Sequence, residues 1–310
     1  MPEILITGSA GLIGRALSPL LSQHHFQIID FDNIYPQTHP NYGDITNIET
    51  LRQAMQDCVG VINLAAVSRV VWGEQNPELC RLTNFYGVQN VLQVAQEQDS
   101  PPWVIFSSSR EVYGQPDSLP VHEDMPLQPM NVYAHAKQDA ENAVLAARQQ
   151  GLQTAIVRLS NVYGCTQDHA DRVVPAFARA AALGGAMRVD GWAHTFDFTH
   201  VSDTVRGIWA VIQRLQAGVR DLPPIHLLTG NPTTLGQLAT LANQLGQGVS
   251  AIHEAKERDF DVAKFYGNPA RAKQLLGWSA QVSIEQGLAR LIADFSAELK
   301  PAVAEVEALA

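Results

Sequence analysis

Tyr133 and Lys137 stand four residues apart in Tyr133-Ala134-His135-Ala136-Lys137, and on a helix that spacing brings both side chains to one face. A phenol beside an ammonium is a proton-transfer pair. A free phenol titrates near ~10, too high for a base at neutral pH. A neighbouring positive charge favours the phenolate and lowers that value toward the working range. Ser109, which closes the run Phe106-Ser107-Ser108-Ser109, can hydrogen-bond a substrate oxygen as it passes between alcohol and ketone. A carbon that passes between those states gives up a hydride and needs an acceptor for it. The segment Thr7-Gly8-Ser9-Ala10-Gly11-Leu12-Ile13-Gly14 is suited to hold one. Its glycines allow a tight turn, close backbone approach to a pyrophosphate and close helix–strand packing. The helix that follows directs free N–H groups and its positive end at the phosphates.

A glycine trio or a Tyr-x-x-x-Lys spacing is common by itself, so the elements that place them carry the weight. Ile4–Thr7 reads as a strand, Leu12–Gln23 as a helix and Gln27–Phe31 as a second strand. Gly60–Leu64, Trp103–Phe106 and Thr154–Val157 are further short apolar runs, separated by helical patterns over Pro77–Gln98 and Val132–Gln150. Runs apolar at consecutive positions suit strands covered on both faces. Their alternation with helices predicts a Rossmann-type α/β fold, a doubly wound parallel sheet. The glycine loop then joins the first strand to the first helix. Asp32 ends the second strand, where a carboxylate accepts hydrogen bonds from ribose hydroxyls and repels a 2′-phosphate. Asp30 lies inside that strand, so Asp32 is the better candidate, and it favours NAD over NADP.

Beyond about Gly164 the alternation loosens, with helical stretches at Val173–Leu183, Thr204–Leu215, Thr234–Leu245 and Ile284–Ala293. The expected division is a dinucleotide-binding domain over 1–164 and a smaller C-terminal α/β substrate lobe over 165–310. Some of the lobe's segments return to the first domain, and the tail from Pro301 is frayed or loosely helical. The net charge of −10, from 21 Lys+Arg against 31 Asp+Glu, argues against a nucleic-acid or anionic-membrane surface. Cys58, Cys80 and Cys165 show no metal or disulfide spacing, which suits reduced thiols in a cytoplasm. No signal-peptide pattern or long uncharged apolar run appears.

The Gly-x-x-Gly-x-x-Gly spacing after Thr7 resembles the extended short-chain dehydrogenase/reductase family, and within it the NAD-dependent sugar-nucleotide epimerase/dehydratase group. The resemblance implies a cofactor site at Gly8, Ala10, Gly11, Leu12, Ile13, Gly14, Asp32 and Asn33. Gly43-Asp44-Ile45 resembles the segment whose aspartate reaches the adenine amine. Leu64, Ala65 and Ala66 fit the strand-end motif beside the cofactor, with Asn63 where relatives more often carry His. Asn84 fits the helix that stabilises the central sheet and is counted with the cofactor-binding residues. Ser107 and Ser108 are strand-end serines, Ser107 facing the cofactor. The same match makes Tyr133 the acid/base, with Lys137 orienting the ribose and Ser109 polarising the substrate.

Two departures bear on the reaction. Sugar-nucleotide dehydratases carry an Asp-Glu pair where this chain has Arg110-Glu111. Lacking that acid, dehydration is disfavoured against epimerisation, and Glu111 serves either in catalysis or as a structural acceptor. Phe196, in Thr195-Phe196-Asp197-Phe198, stands where relatives place an arginine that grips the substrate diphosphate. Arg258 is expected to substitute, with Arg172, Arg179 and Arg188 as looser candidates. Ser68, Ser109, Arg110, Asn161, Val174, Phe177, Phe196 and Arg258 make up the substrate set that the resemblance implies. The expected function is an NAD-dependent sugar-nucleotide 4-epimerase, working as a homodimer. The alternatives are a dehydratase, a keto-sugar reductase, a dehydrogenase of a non-nucleotide alcohol, or a dinucleotide sensor without turnover.

Overall fold

Consecutive apolar residues build the strands of a central parallel sheet in the computed structural model, which describes residues 1–256 and 262–307. The first lobe contains β1 (Glu3–Thr7), α1 (Leu12–Gln23), β2 (Gln27–Phe31), α2 (Ile48–Met55) and β3 (Cys58–Asn63). It continues with α3 (Val70–Gln75), α4 (Pro77–Arg81), a π-helical turn (Leu82–Tyr86) and α5 (Gly87–Glu97). After these come β4 (Trp103–Ser109), a 3-10 turn (Arg110–Tyr113), α6 (Val132–Gln149) and β5 (Thr154–Leu159). The rest of the chain forms β6 (Asn161–Tyr163), α7 (Val173–Leu183), β7 (Ala186–Asp190), β8 (Thr195–His200) and α8 (Val201–Gln216). Then follow β9 (Ile225–Leu227), β10 (Pro232–Thr234), α9 (Leu235–Leu245), β11 (Ala251–Ala255), α10 (Ala270–Leu276) and α11 (Ile284–Glu307).

The main sheet runs β2-β1-β3-β4-β5-β9 with every neighbouring pair parallel. Helices cover both faces, which is why its central strands are buried along almost their whole length. Leu51 and Met55 of α2, Val88 and Val91 of α5 and Val144 of α6 form one apolar layer. Leu17 and Leu21 of α1, Ile208 and Ile212 of α8 and Ala272 of α10 form the other. A third core gathers Phe177, Phe198, Leu238 and Leu291 beneath the small sheets β10-β8-β6 and β11-β7. Residues beyond 164 thus contribute to both parts: β9 and α8 build the first, while α7, α9 and α11 pack together in the second. No helix among the described residues is long and apolar enough to cross a membrane.

Several elements differ from their sequence-based outlines. β4 runs on through the serines to Ser109, because Ser107, Ser108 and Ser109 pair with Val157, Arg158 and Leu159 of β5. The helix over Pro77–Gln98 is interrupted by the π turn, inside which Asn84 hooks the main chain of Val67 through its amide. Helices α2 and α3 occupy stretches whose pattern assigns no element. The long α11 continues well past Ala293.

Strand order reverses between β1 and β3, so a crevice opens at the carboxyl edge of the sheet. Gly14 governs how closely α1 packs there, since a Cβ on it would fall 2.5 Å from Ser9 O and 2.6 Å from Gly8 O. Both obstacles are backbone and cannot swing aside. Gly14→Ala is therefore expected to destabilise the protein by about 1–3 kcal/mol, read as a lower urea midpoint at unchanged slope. A midpoint equal to that of the unsubstituted protein would show that the loop has slack this packing denies it.

Candidate active site

The glycine loop is moulded onto the ends of β1 and β3. Gly8 takes φ +73°, and a Cβ there would meet Ala65 N at 2.7 Å and Leu64 C at 2.8 Å. Only glycine suits both the conformation and the contact. Thr7 Oγ1 donates to Asn63 Oδ1 at 2.7 Å and accepts from Ala65 N–H at 3.3 Å, locking the two strand ends together. The first turn of α1 carries no side-chain cap and no acidic residue. Its unpaired N–H groups and positive end are thus left for a phosphate. Asp32 Oδ2 accepts from Ala10 N–H at 3.0 Å and Oδ1 from Ile34 N–H at 3.0 Å. A carboxylate oxygen can accept more than one hydrogen bond, so Asp32 is fixed in place with acceptor capacity to spare.

A cavity of about 920 Å³ opens over this loop and extends along the carboxyl ends of β1 to β5 toward α7 and β8. It lies at the upper end of the range of small-molecule sites. Its wall includes Gly8, Ala10, Gly11, Leu12, Ile13, Gly14, Asp32, Asn33, Asp44, Ile45, Leu64, Ala65, Ala66 and Ser107. Asp44 is set by Thr46 N–H and Oγ1–H, both at 2.8 Å, and by Asn33 Nδ2–H at 3.2 Å. An uncapped helix end, a backbone cradle and an anchored acid fit a dinucleotide with an unmodified ribose. Asn84 does not line this wall: its side chain is fully buried behind Val67 and shapes the cofactor side from beneath.

Tyr133 and Lys137 come into the same cavity from the first turns of α6. Asn131 caps that helix, accepting from Ala134 N–H at 2.8 Å and donating to Glu111 Oε2 at 3.2 Å. Ser109 lines the cavity beside Tyr133, and its hydroxyl accepts from Glu111 N–H at 3.2 Å. Lys137 Nζ donates to Ser107 O at 2.9 Å and lies 5.9 Å from the Tyr133 ring centre. Glu141, one turn further along, receives a two-pronged contact from Arg158 of β5: Nε to Oε1 at 2.9 Å and Nη2 to Oε2 at 2.6 Å.

Burial pushes Tyr133 up to about 12, against the opposing pull of Ser109 and Arg172. Burial likewise brings Lys137 down from 10.5 to about 8, with Cys80 and Glu141 acting the other way. The expectation that the Lys137 ammonium and the cofactor's positive ring together favour the phenolate concerns the filled site. In the protein alone desolvation wins at both groups, and Tyr133 is a neutral phenol that donates or accepts.

On the substrate side the cavity wall includes Ser68, Ser109, Arg110, Glu111, Asn161, Val174, Phe177 and Phe196. Glu111 is buried, with Arg110 Nη2 at 2.8 Å from Oε1 and Asn131 on its other oxygen. Asn161 Nδ2 donates weakly to Asp197 O at 3.4 Å. Arg172 donates to Ser68 Oγ at 3.4 Å and pairs with Asp168 at 3.6 Å. Arg188 lines the rim, whereas Arg179 is exposed on α7 away from the wall. Arg258 lies outside the described residues.

The structure adds residues that sequence reasoning passed over. Arg69 pairs with Asp171, Trp72 meets His169 edge-on at 4.7 Å, and Arg15 donates to Gln167. All of these line the cavity. They bind the segment 165–172, just ahead of α7, to the glycine-loop helix and to the connection after β3. The only signal in the sequence is the density of charge in Asp168-His169-Ala170-Asp171-Arg172 before an apolar helix, and that reads equally as a solvated loop.

Residues 4–222 match the family described as the NAD dependent epimerase/dehydratase family. A putative UDP-glucose 4-epimerase of Methanocaldococcus jannaschii is 27% identical over 303 residues, covering 93% of this chain and 97% of that protein. UDP-glucuronic acid decarboxylase 1 of Danio rerio is 29% identical over 317 residues, covering 96% and 73%. Among solved structures, UDP-glucose 4-epimerase of Thermotoga maritima with UDP-glucose superposes at a TM-score of 0.89. It is 26% identical, and the match covers 96% of this chain and 100% of that one.

The buried ammonium gives a pH signature. Lys137 titrates near 8 folded and near 10.5 unfolded, so between those values the unfolded chain binds more protons and stability rises with pH. Below 8 the folded protein carries the whole burial penalty. Lys137→Met removes it, and the cofactor-free variant should melt a few degrees higher than the parent at pH 7. That advantage should shrink as pH rises from 8 to 10.5, as followed by calorimetry. A difference constant across that range would mean Lys137 is not titrating as its burial dictates.

Proposed function

Because the chain belongs to the NAD dependent epimerase/dehydratase family, we propose that it is a sugar-nucleotide epimerase of the 4-epimerase type with NAD as its cofactor. The observation that carries this reading is that Tyr133, Lys137 and Ser109 line the same cavity that the glycine loop opens into. NAD, held at Gly8–Gly14 and Asp32, supplies a hydride acceptor and a positively charged ring. Tyr133 takes the proton of the C4 hydroxyl, and Ser109 hydrogen-bonds the same oxygen as it becomes a ketone. Lys137, fixed by Ser107 O, adds positive charge beneath the phenol and a donor for the ribose. With Tyr133 at about 12 in the protein alone, proton removal depends on the positive charge that gathers once the site is filled.

Glu111 supports epimerisation over elimination of water. Arg110 and Asn131 occupy its two oxygens, so it braces the turn and the cap of α6 instead of standing free as a base. Phe196 favours one second reading, a hydroxyl substrate that carries no nucleotide diphosphate, because the phosphate-gripping arginine is absent there. The reading also includes a homodimer in a cytoplasm. Leu79, Leu82 and Tyr86 are close to half exposed along the α4–α5 run, and that apolar stripe suits a second copy.

Incubation with NAD+ and a panel of UDP-, GDP- and dTDP-sugars should give an isomer of unchanged mass. Loss of water or of carbon dioxide would overturn the 4-epimerase reading, and accumulation of NADH with a simple alcohol would favour the second one. Tyr133→Phe should lose at least ~10²-fold in turnover and still bind NAD by calorimetry; a protein that only senses the dinucleotide would be indifferent. Leu82→Glu should halve the mass measured by light scattering, and a monomeric parent would refute the dimer.

A further inference from the structure

Arg110 is held in an unusual way for a cavity wall. Its guanidinium lies 4.6 Å over the ring of Phe196 and 5.7 Å from that of Phe265, so aromatic faces pack around it. Nη2 reaches Glu111 at 2.8 Å. Nη1 is buried and has no hydrogen-bond partner among the described residues. A guanidinium has five donors in a rigid fork, and one carboxylate partner leaves most of them unused. In a wall of low polarity an unpaired donor on a cation is costly, and a second oxyanion relieves it.

Position favours one source for that oxyanion. Arg110 follows Ser109 directly, and Glu111, its ion-pair partner, is tied through Asn131 to the cap of the helix that carries Tyr133. The cation is therefore tethered at the end of the cavity where the hydroxyl chemistry takes place. Its stacking partner is the same Phe196 that stands where relatives carry a phosphate-gripping arginine.

We propose that Arg110 is a specificity-determining residue that receives a carboxylate carried on the reacting sugar, so that the preferred substrate is a sugar nucleotide of the uronic acid type. The inference rests on the reading of the site as a sugar-nucleotide site. Fork-to-carboxylate geometry gives two parallel charge-assisted bonds, and the stacked rings hold the fork flat while it waits. A neutral hexose in the same pose leaves Nη1 unpaired, and the site discriminates against it for that reason.

The test is titration calorimetry of the NAD-loaded protein with UDP, UDP-glucose and UDP-glucuronic acid. The parent, Arg110→Met and Arg110→Lys are compared. Methionine keeps the stem against the rings, and lysine keeps a charge for Glu111 should the first variant fail to fold. The expected result is a parent that prefers the uronate over UDP-glucose. That preference, as a ratio of dissociation constants, should fall roughly 10- to 100-fold in Arg110→Met and in part in Arg110→Lys, which lacks the fork. An equal loss for all three ligands would assign the cation to the diphosphate and overturn the proposal. An unchanged ratio accompanied only by lower thermal stability would reduce Arg110 to a structural partner of Glu111. A parent that binds NAD and none of the three ligands would instead refute the sugar-nucleotide reading itself, and this inference with it.

Discussion

The contact between Arg158 and Glu141 sets the geometry on which the site depends. Tyr133, Lys137 and Glu141 follow one another at four-residue intervals on one face of α6, and the last is gripped through both oxygens by an arginine rooted in β5. Both side chains are almost fully buried. The same guanidinium donates to Tyr113 Oη at 2.5 Å and to Glu123 O at 2.7 Å. Helix, sheet and the turn that carries Glu111 are thereby joined at one point. Removing one partner of such a buried pair strands a charge, at a cost of about 3–5 kcal/mol. With α6 pinned at that depth, Lys137 Nζ reaches the carbonyl of Ser107, and Tyr133 lines the cavity alongside Ser109.

Much of this was legible in residue order. The apolar runs of β1 to β5 and the patterns of α1, α6 and α7 follow from local periodicity, and the glycine loop was placed by the strand before it and the helix after it. What escaped depended on partners distant in sequence. The extension of β4 to Ser109 comes from pairing with β5, since serines carry little strand preference of their own. The π turn at Leu82–Tyr86 surrounds Asn84, whose partner Val67 is 17 residues away. Helix α2 is short, and its announcing signal is a single cap, Asn47 accepting from Glu49 and Thr50. The spacing shows a neighbouring ammonium at Tyr133 and does not show that burial opposes ionisation at both groups in the protein alone.

Arg110 and Phe196 illustrate the same point from the side of specificity. Read as letters, one is a lost acid and the other a lost phosphate clamp, two separate defects measured against relatives. In the folded chain they stack on each other in one wall, and Glu111 is held between Arg110 and Asn131. The surrounding segment 165–172 reaches from α7 to Arg15, Ser68 and Arg69, so the part of the cavity reserved for the dinucleotide and the part reserved for the substrate share one cover.

The central claim is that one carbon of the substrate is oxidised and then reduced again inside this cleft, with Tyr133 handling the proton. The most direct measurement uses a sugar nucleotide deuterated at C4, with the product examined by NMR and mass spectrometry. The account predicts that the deuterium is retained at C4 while the configuration there inverts. Deuterium lost from the product, or inversion at a different carbon with C4 untouched, would contradict it.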